Sequence, residues 1–450
     1  MEELSLSVDR FSGHRSVRRT SSRRRFLFVS VAGQIGDIAW QILKEGHEVR
    51  YFIETEKYRE TADGFVPKTD DWRGDVDWAD VIVFDDTLGN GSVAEELRRA
   101  GKKVIGGTTY TDRLEDDRGF GESELEQAGI RILPHWEFDS FDTGIQHITR
   151  NPDRYVLKPG GVAQAIKRWL YVGEEEGGHD VIRLLEAYKK TAADQIKTFH
   201  LQRKVTGVEV AVGAFFNGHE FVAPVNYNFE HKRLFRGNLG PMTGEMGTSM
   251  FWGAPNKLFA RTLEKMEPRL AEHGYCGYID LNCIVNHDGI HPLEFTSRFG
   301  YPTISIQQEG MLTPIGAFLH DLASGQPTRL RTKARFQVGV RVVVPPYPFD
   351  DPATFDMLCR GAAIAFKRGT PAGVHIEEVK QVNGRWFVTG GSGAVLVVVG
   401  LGSTMRKAQV RAYARLENVV IPHMYYRDDI GDHWTDDVDR LLSWGYLRET

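Results

Sequence analysis

The sequence lacks the features that mark secreted, membrane-spanning and nucleic-acid-binding proteins. Its three cysteines, Cys276, Cys283 and Cys359, are too few for a disulfide framework and do not have the spacing of a metal site. We therefore expect reduced thiols in a cytoplasmic protein. No apolar run reaches the roughly 18 residues of a membrane helix, and the longest, GAVLVVVGLG, fits a buried strand. Lys and Arg total 56 against 61 Asp and Glu, a net charge of −5, which argues against a general nucleic-acid binder.

The first 24 residues differ in composition from the rest of the chain. They contain many Arg and Ser residues and almost no core-forming residues, which predicts a solvated, disordered tail over residues 1–24. A transit peptide and a site for an anionic partner are the alternatives. Glu2 and Glu3 weaken the first of these, and the tail has no apolar segment of a secretory signal.

Residues 25–120 alternate apolar strands with helical patterns. The segments FLFVSVAG, EVRYFIE, DVIVFDD and KVIGG predict a doubly wound parallel sheet of Rossmann type. Ligands bind such sheets at the carboxyl ends of the strands, where Gly33 lies in the turn VAGQIGD. This turn carries only part of a dinucleotide fingerprint. A plain strand-to-helix turn, an NAD site and a phosphate site at the helix N-terminus all remain open.

The remaining chain predicts two α+β units. Residues 121–330 combine a strand ending in YVLKPGG, a run of antiparallel strands, the amphipathic segment LFARTLEKMEPRLAEHG, and the strands YIDLNCIV and HPLEFT. Residues 331–450 are predicted to form a small C-terminal α+β domain. The complete fold class is therefore α/β and α+β.

Three segments carry chemically suggestive residues. Lys158 ends an apolar strand beside two glycines, so it can reach phosphates, although an ordinary exposed lysine is the alternative. The loop GPMTGEMG offers backbone N–H groups to an anion or acyl phosphate, or is a plain loop. In LEFTSRFGYP, Glu294 lies in an apolar strand and needs a counter-ion. With Arg298 nearby, the segment predicts either a site for both charges or a structural ion pair.

Taken in order, the segments resemble the ATP-grasp carbon–nitrogen ligases, and most closely the phosphoribosylamine–glycine ligase family. NFEHKRLFRGNLGPMTGEMG is similar to that family's DHKR…GPNTGGMG loop, and LEFTSRFGYP to its EFNxRFGDPE metal strand. YYRDDIG resembles the C-terminal RKDIG signature. The resemblance implies an ATP-grasp domain over residues 121–330.

The resemblance also implies roles for individual residues. The implied catalytic residues are Lys158 and Arg298. The implied nucleotide contacts are Arg118, Lys158, Lys167, Gln202, Val205 and Glu209. The implied substrate-side residues are His231, Lys232, Arg233, Gly240, Thr243 and Gly244, and Gly33 joins them because of its place in the parallel sheet. The metal candidates are Glu294, Thr296, Asp280 and Asn282, of which the last two come from strand pairing.

The activity implied by the resemblance is an ATP-dependent ligase. It would join a carboxylate, glycine or another amino acid, to an amine, phosphoribosylamine or a related one, through an acyl phosphate. ADP and phosphate would be released, with Mg²⁺ or Mn²⁺ bridging the ATP phosphates, as in purine biosynthesis. We expect a monomer or homodimer with small-molecule substrates. The alternative is a catalytically weakened ATP-grasp protein that binds nucleotide in a regulatory or structural role.

Several positions depart from the family pattern. Thr296 replaces an asparagine metal ligand, Tyr301 an aspartate, Glu245 a glycine and Gln202 an acid. The glycine-rich phosphate loop becomes GGVAQAIKR, in which Lys167 is the candidate replacement for the family lysine. These departures leave both substrates open.

The hairpin joining the last two strands of the central unit suggests how the Thr296 departure is compensated. A three-residue loop ending at Gly289, in left-handed conformation, predicts that Asn282 pairs with Glu294 and Asp280 with Thr296. Side chains alternate along strands, so these groups share one face and Asp280 could supply a second carboxylate to Mg²⁺. The alternative is that Asp280 only hydrogen-bonds a neighbour. A two-residue loop would turn it to the opposite face.

Overall fold

The structure is a computed structural model that describes residues 23–161, 163, 169–369 and 372–448. Residues 1–22 of the predicted tail, and Lys167 with most of the altered glycine loop, lie outside these residues. Within the described part of the chain, no helix combines the length and apolar character needed to cross a membrane.

The N-terminal domain is a parallel sheet covered by helices on both faces. Its elements are β1 (Arg25–Ser30), α1 (Gly36–Lys44), β2 (Glu48–Ile53), β3 (Val81–Phe84), α2 (Asn90–Arg99), β4 (Val104–Ile105), α3 (Thr109–Asp116) and α4 (Arg118–Gln127). The parallel order β2-β1-β3-β4 confirms the predicted doubly wound sheet. Phe26 and Phe28 of β1 pack in the core with α1, whereas Leu27 and Val29 pack with Ala94 of α2. Because the order reverses between β1 and β3, their carboxyl ends form the edge where such sheets bind ligands.

A four-stranded antiparallel sheet follows. Its elements are β5 (His135–Phe138), α5 (Phe141–Arg150), β6 (Tyr155–Pro159), β7 (Tyr171–Val172), α6 (His179–Thr191) and β8 (Phe199–Arg203). The strand order is β5-β8-β6-β7. Lys158 of β6 lies opposite His200 of β8, so the predicted phosphate-contacting lysine and His200 share one face of the sheet.

The rest of the central region is built mainly from long antiparallel strands. Its elements are β9 (Val208–Asn217), β10 (Phe221–Glu230), β11 (Arg233–Phe235), β12 (Leu239–Met242), β13 (Gly247–Gly253), α7 (Lys257–Arg261), α8 (Glu267–Glu272), β14 (Cys276–Asn286), β15 (Gly289–Thr296), α9 (Thr303–Glu309) and α10 (Ile315–Ala323). The predicted single amphipathic helix is wrong, because a 3₁₀ turn at Leu263–Met266 separates α7 from α8. Thr262, with φ −127° and ψ −99°, interrupts the helical backbone.

The C-terminal region continues the large sheet. Its elements are β16 (Phe336–Val343), α11 (Pro352–Leu358), β17 (Ala363–Phe366), β18 (Val374–Ile376), β19 (Val379–Val382), β20 (Arg385–Val388), β21 (Ala394–Gly402), α12 (Met405–Leu416), β22 (Val419–Val420) and α13 (Trp434–Ser443). The eight-stranded sheet has the order β15-β14-β9-β10-β13-β16-β21-β18. The proposed boundary between residues 330 and 331 therefore marks no break in this sheet, and the domain limits stay predictions.

A buried ion cluster joins the N-terminal domain to β18. His375 Nδ1 lies 2.8 Å from Asp37 Oδ2 of α1, and His375 Nε2 lies 3.3 Å from Glu309 Oε1 of α9. Burial lowers the pKa of His375, but the two carboxylates outweigh it and raise the pKa to about 9. Asp37 also accepts hydrogen bonds from Ser305 Oγ, at 3.2 Å, and from the Ile376 N–H, at 3.3 Å. The protonated imidazole therefore holds three elements together.

We predict that this cluster makes stability depend on pH. The folded pKa of His375 lies above the unfolded value of about 6.5, so its stabilisation is complete below pH 6.5 and lost as the pH rises towards 9. Between pH 6.5 and 9, the free energy of unfolding measured in urea should fall by about 3 kcal/mol more in the wild type than in His375→Gln. The exposed-loop variant His287→Gln should behave like the wild type. An equal loss in wild type and His375→Gln would contradict the prediction.

Candidate active site

The hairpin between β14 and β15 turns more tightly than predicted. Asn286 pairs with Gly289, so the loop contains two residues, at 287–288, instead of three. Gly289 does not adopt the left-handed conformation. Asn286 Oδ1 instead accepts the backbone N–H groups of Asp288, at 2.9 Å, and Gly289, at 3.2 Å. The side chain of Asn286 thus stabilises the turn, and the predicted loop is wrong.

A β-bulge restores the predicted register. The pairing shifts between Asn282 and the next residue, which leaves Leu293 of β15 unpaired. As a result, Asn282 lies opposite Glu294 and Asp280 lies opposite Thr296, as predicted. These polar groups occupy one face of the hairpin.

Lys232 is surrounded by carboxylates from three strands. Its Nζ lies 3.0 Å from Glu209 Oε1 of β9, 3.4 Å from Glu230 Oε2 at the end of β10, and 3.5 Å from Glu294 Oε1 of β15. Burial alone would lower the pKa of Lys232, but the carboxylates raise it well above its usual value. The ammonium therefore remains charged and offsets the repulsion among the three acids.

The metal candidates adjoin this group. Asn282 Nδ2 donates to Glu230 Oε2 at 3.2 Å, whereas the buried Asn282 Oδ1 has no hydrogen-bond partner among the described residues. Burial and the charge of Glu230 raise the pKa of Asp280 well above its usual value, and the Thr296 hydroxyl bonds to it. Oxygen donors of these kinds fit Mg²⁺. Within the described chain, the carboxylates of Glu230, Asp280 and Glu294 do not form a compact group of three donors. Such a site would suit a Mg²⁺ ion whose remaining ligands are phosphate oxygens and water.

Cationic residues of the nucleotide side lie next to these acids. Arg118, at the start of α4, donates to the Pro159 carbonyl at 3.3 Å. Burial lowers the pKa of Arg118, and nearby Glu294 and Glu122 oppose this effect. Burial and the charges of Arg118, His135 and Lys158 lower the pKa of His200 to about 4. The fold thus brings Arg118, Lys158 and Glu294 into one region, with a neutral His200 beside them.

The predicted adenine and ribose contacts lie in neighbouring cavities. Val205 lines a cavity of about 610 Å³, and Glu209 lines one of about 420 Å³. Gly207 lines both cavities, so they meet at the turn between β8 and β9. Gln202 is buried on β8, two residues from His200 and therefore on the same face of that strand.

The substrate-side residues form the opposite wall of the smaller cavity. His231, Lys232 and Arg233 all line it, and burial followed by the charge of Arg427 lowers the pKa of His231 to about 4. Thr243 Oγ1 donates to the Lys232 carbonyl at 2.7 Å.

The loop GPMTGEMG is held against this wall of the cavity by hydrogen bonds. Gly240, with φ +79°, accepts a hydrogen bond from Arg233 Nη1 at 2.8 Å. Gly244 has open space around it, since an added Cβ would meet no atom within 4 Å. The loop is therefore held beside Lys232 at Thr243, and its backbone at Gly244 is open to a ligand.

The C-terminal signature fixes the same loop from behind. Arg427 is fully buried and makes two hydrogen bonds of 2.7 Å to Asp429. Its Nη1 donates to the Arg233 carbonyl at 2.9 Å and to Asn238 Oδ1 at 3.0 Å. The Gly237 N–H donates to Asp429 at 2.9 Å. YYRDDIG thus acts as a support for the loop.

Arg298 lies at the edge of the N-terminal sheet. Its guanidinium pairs with Asp86 at 3.3 Å and Glu115 at 3.1 Å, and lies over the Tyr301 ring. The edge also contains Gly33, whose N–H donates to Ser30 Oγ at 2.8 Å. The departure at Tyr301 therefore lies where the two domains meet.

The side chain of Asp85, directly after β3, lies at the N-terminus of α1 at this same edge. Its carboxylate accepts the Ser30 hydroxyl at 2.5 Å and is stabilised by the Ile35 N–H. Burial, with the charge of Asp86, raises the pKa of Asp85 to about 7. A carboxyl group of the protein thus already occupies the N-terminus of α1, where a bound substrate phosphate was one of the predicted alternatives.

Sequence reasoning missed four acids of the site: Glu230, Asp85, Asp86 and Glu115. Glu230 directly precedes His231, at the place of the acid in the family's DHKR segment, so the motif contained a usable indication. Asp85 and Asp86 follow β3 directly, where the carboxyl ends of parallel strands point to ligands. Glu115 belongs to α3 and no motif indicates its contact with Arg298.

Comparison with known proteins identifies related ligases. Residues 117–304 match the family described as the phosphoribosylglycinamide synthetase ATP-grasp (A) domain. The phosphoribosylamine–glycine ligase of Streptococcus pneumoniae is 26% identical over 373 residues, covering 79% of this chain and 84% of that protein. The corresponding Neisseria meningitidis ligase is 25% identical over 373 residues, covering 76% and 81%.

Solved structures share the fold over most of the chain. The phosphoribosylamine–glycine ligase of Thermotoga maritima has a TM-score of 0.69 at 22% identity and covers 90% of this chain and 100% of that chain. A biotin carboxylase of Campylobacter jejuni has a TM-score of 0.62 at 13% identity and covers 94% and 97%. Residues 117–304 thus match an ATP-grasp domain, and the chain is similar to the phosphoribosylamine–glycine ligases along most of its length.

Proposed function

We propose that the chain is an ATP-dependent ligase that joins an amino-acid carboxylate to an amine. The observation that carries the proposal is the convergence of Glu209, Glu230 and Glu294 on Lys232, beside Arg118. Phosphoryl transfer needs little covalent chemistry from a protein; it needs reactants positioned and charge stabilised. Alternating cations and carboxylates in one cavity meet that need.

The nucleotide would lie between the antiparallel sheet and β9. Arg118 and Lys158 would bind phosphate oxygens through charge-assisted hydrogen bonds, and Lys167 is proposed to do the same. The amide of Gln202 and the backbone of Val205 would contact the adenine edge. Glu209, half-exposed in its cavity, would accept ribose hydroxyl protons.

Glu230 and Glu294 would hold Mg²⁺, with Asn282, Asp280 and Thr296 completing or supporting the site. When bound, Mg²⁺ or Mn²⁺ would offset the charge of the ATP phosphates. Lys232 would then be drawn from its carboxylate partners towards the transferred phosphoryl group.

The amino-acid carboxylate would attack the γ-phosphate, which releases ADP and forms an acyl phosphate. The amine would then attack the acyl carbon, which releases phosphate and the amine proton and leaves the amide. The neutral His231 and the N–H groups around Gly244 are placed to orient the acyl phosphate. Arg298, at the domain edge, would neutralise negative charge as the amide forms. No side-chain nucleophile is required in this scheme.

The acceptor amine is proposed to lack a phosphate at the Gly33 edge. Asp85 occupies the helix terminus that would bind such a group. Asp86 and Glu115 add negative charge around Arg298, and like charges repel a phosphate. A neutral or cationic amine fits this edge better than phosphoribosylamine.

The altered glycine loop and Thr296 would suit the alternative, a weakened ATP-grasp protein with a regulatory or structural role. The relatives found by comparison are ligases by name, and they give this alternative no support. The monomeric or homodimeric state and the cytoplasmic location stay predictions.

ADP release tests the proposal directly. The wild type with Mg-ATP should release ADP only when an amino acid and an amine are both present, across a panel that includes phosphoribosylamine generated in place. Glu294→Gln should abolish release, whereas Glu186→Gln, at an exposed residue of α6, should not. ATP binding without turnover for any pair would favour the regulatory alternative. Release that requires glycine and phosphoribosylamine would overturn only the proposed acceptor.

We predict that Lys232→Met leaves three acids uncompensated. Removing one partner of a buried charge group typically costs about 3–5 kcal/mol, and added Mg²⁺ should recover part of this loss by replacing the cation. Thermal unfolding with and without Mg²⁺ measures both effects. Lys204→Met is the matched control, since Lys204 is similarly covered, with 14% of its side chain exposed against 18% for Lys232, but has the single partner Glu174. Equal stability of the two variants, with no Mg²⁺ effect, would refute the role.

We predict that Asp280→Asn raises the Mg²⁺ concentration for half-maximal turnover by at least about tenfold, the lower end of what even an outer-shell change costs. Adding Thr296→Asn should recover part of the loss, because it restores an amide ligand. Asp288→Asn, in the loop of the same hairpin, should leave the requirement unchanged. An unaltered Mg²⁺ requirement in Asp280→Asn would mean that Asp280 serves only as a hydrogen-bond partner.

A further inference from the structure

Three side chains beside the nucleotide residues have no role in the proposed reaction. Glu122 lies on α4, His135 on β5 and His200 on β8. One donor atom from each lies within 4.8 Å of the other two, and the described chain contains no second group of three His, Cys, Asp or Glu residues this close. Two imidazoles and a carboxylate are the donor set of many Zn²⁺ sites.

Two donor atoms of this group lack hydrogen-bond partners. His200 Nδ1 and Glu122 Oε2 are both buried without a hydrogen bond among the described residues. Glu122 Oε2 does lie 3.2 Å from His135 Nε2, but the contact is not aligned as a hydrogen bond. Burial of polar atoms without partners is unfavourable. A metal ion bound between His200 Nδ1 and Glu122 Oε2 would accept a lone pair from each atom.

The fold orients the imidazoles in advance. His135 Nδ1 faces the Leu133 carbonyl at 3.4 Å, and a proton held there would leave Nε2 free as a metal ligand. His200 and Glu137 are register partners across β5 and β8, with His200 Nε2 and Glu137 Oε1 3.8 Å apart. Glu137 thus lies beside Nε2 and leaves the opposite ring nitrogen, Nδ1, free for a metal ion.

The local charge also allows a cation. Arg118 and Lys158 are close enough to influence His200, but Glu122 and Glu137 supply two negative charges beside the imidazoles. These charges balance before an ion binds.

We propose that Glu122, His135 and His200 bind one divalent transition-metal ion of the Zn²⁺ type, separate from the Mg²⁺ of the nucleotide. The ion would tie α4, which carries Arg118, to the sheet that carries Lys158. It would therefore fix the spacing of two phosphate-contacting residues without taking part in the reaction. This assignment stands on the three donors alone and does not depend on ligase activity.

The test is Zn²⁺ binding to the untagged, chelator-treated full chain in the presence of Mg²⁺. Calorimetry should show one Zn²⁺ per chain, and His135→Ala and Glu122→Gln should each weaken binding by more than about tenfold. His179→Ala, at an exposed histidine on α6, should bind as the wild type does. Unchanged affinity in His135→Ala, or no Zn²⁺ binding by the wild type, would overturn the site.

Co²⁺ provides a measurement that does not rely on a variant folding correctly. The wild type loaded with Co²⁺ should show the visible d–d absorption of a low-symmetry site with nitrogen and oxygen ligands, and Zn²⁺ should displace it. A spectrum identical to that of hydrated Co²⁺ would overturn the proposal, whatever the variants show.

Discussion

The interaction between Lys232 and its three carboxylates is the constraint on which the site depends. Glu209, Glu230 and Glu294 belong to three strands of one sheet, and without a shared cation their charges would repel. A buried charge is tolerated only when it is paired. Lys232 is therefore the counter-ion that lets the three carboxylates lie together, and the proposed function adds a metal ion and a phosphate as competing partners. The same arrangement links folding of the sheet to binding of ligands.

Charge is divided unequally across the two sides of the cavity. Arg118 and Lys158 make the predicted nucleotide side cationic. The N-terminal edge is acidic, because Asp86 and Glu115 flank Arg298 and Asp85 lies beside Asp86. In a partly buried site such fields act strongly on charged ligands. The proposed function follows from this division, with ATP at the cationic side and an acceptor without a phosphate at the acidic side.

Most of the fold, but only part of the site, could be predicted from the sequence. The parallel sheet follows from β1 and its neighbours, whose apolar runs alternate with helices, and motif order indicated Lys232, Glu294 and Lys158. Contacts between distant segments have no local pattern. The sequence indicated that Arg298 needs a charge partner, but not which one. Glu115, one of the partners found, lies on α3 and also accepts a hydrogen bond from Ser297, 182 residues away in the sequence. The break at Thr262 was likewise hidden, because the apolar spacing continues through it.

The hairpin shows which physical requirement determines a register. With the observed two-residue loop and unbroken pairing, Glu294 would lie opposite Leu281. A one-residue slip moves every side chain to the other face, so Glu294 would enter the apolar cluster containing Ile279, Leu281 and Phe295. A bulge at Leu293 costs little on an edge strand, whereas an unpaired carboxylate in a core costs several kcal/mol. Burial therefore decides the register, and the turn adapts to it, which is why Asp280 faces Thr296 despite the different loop.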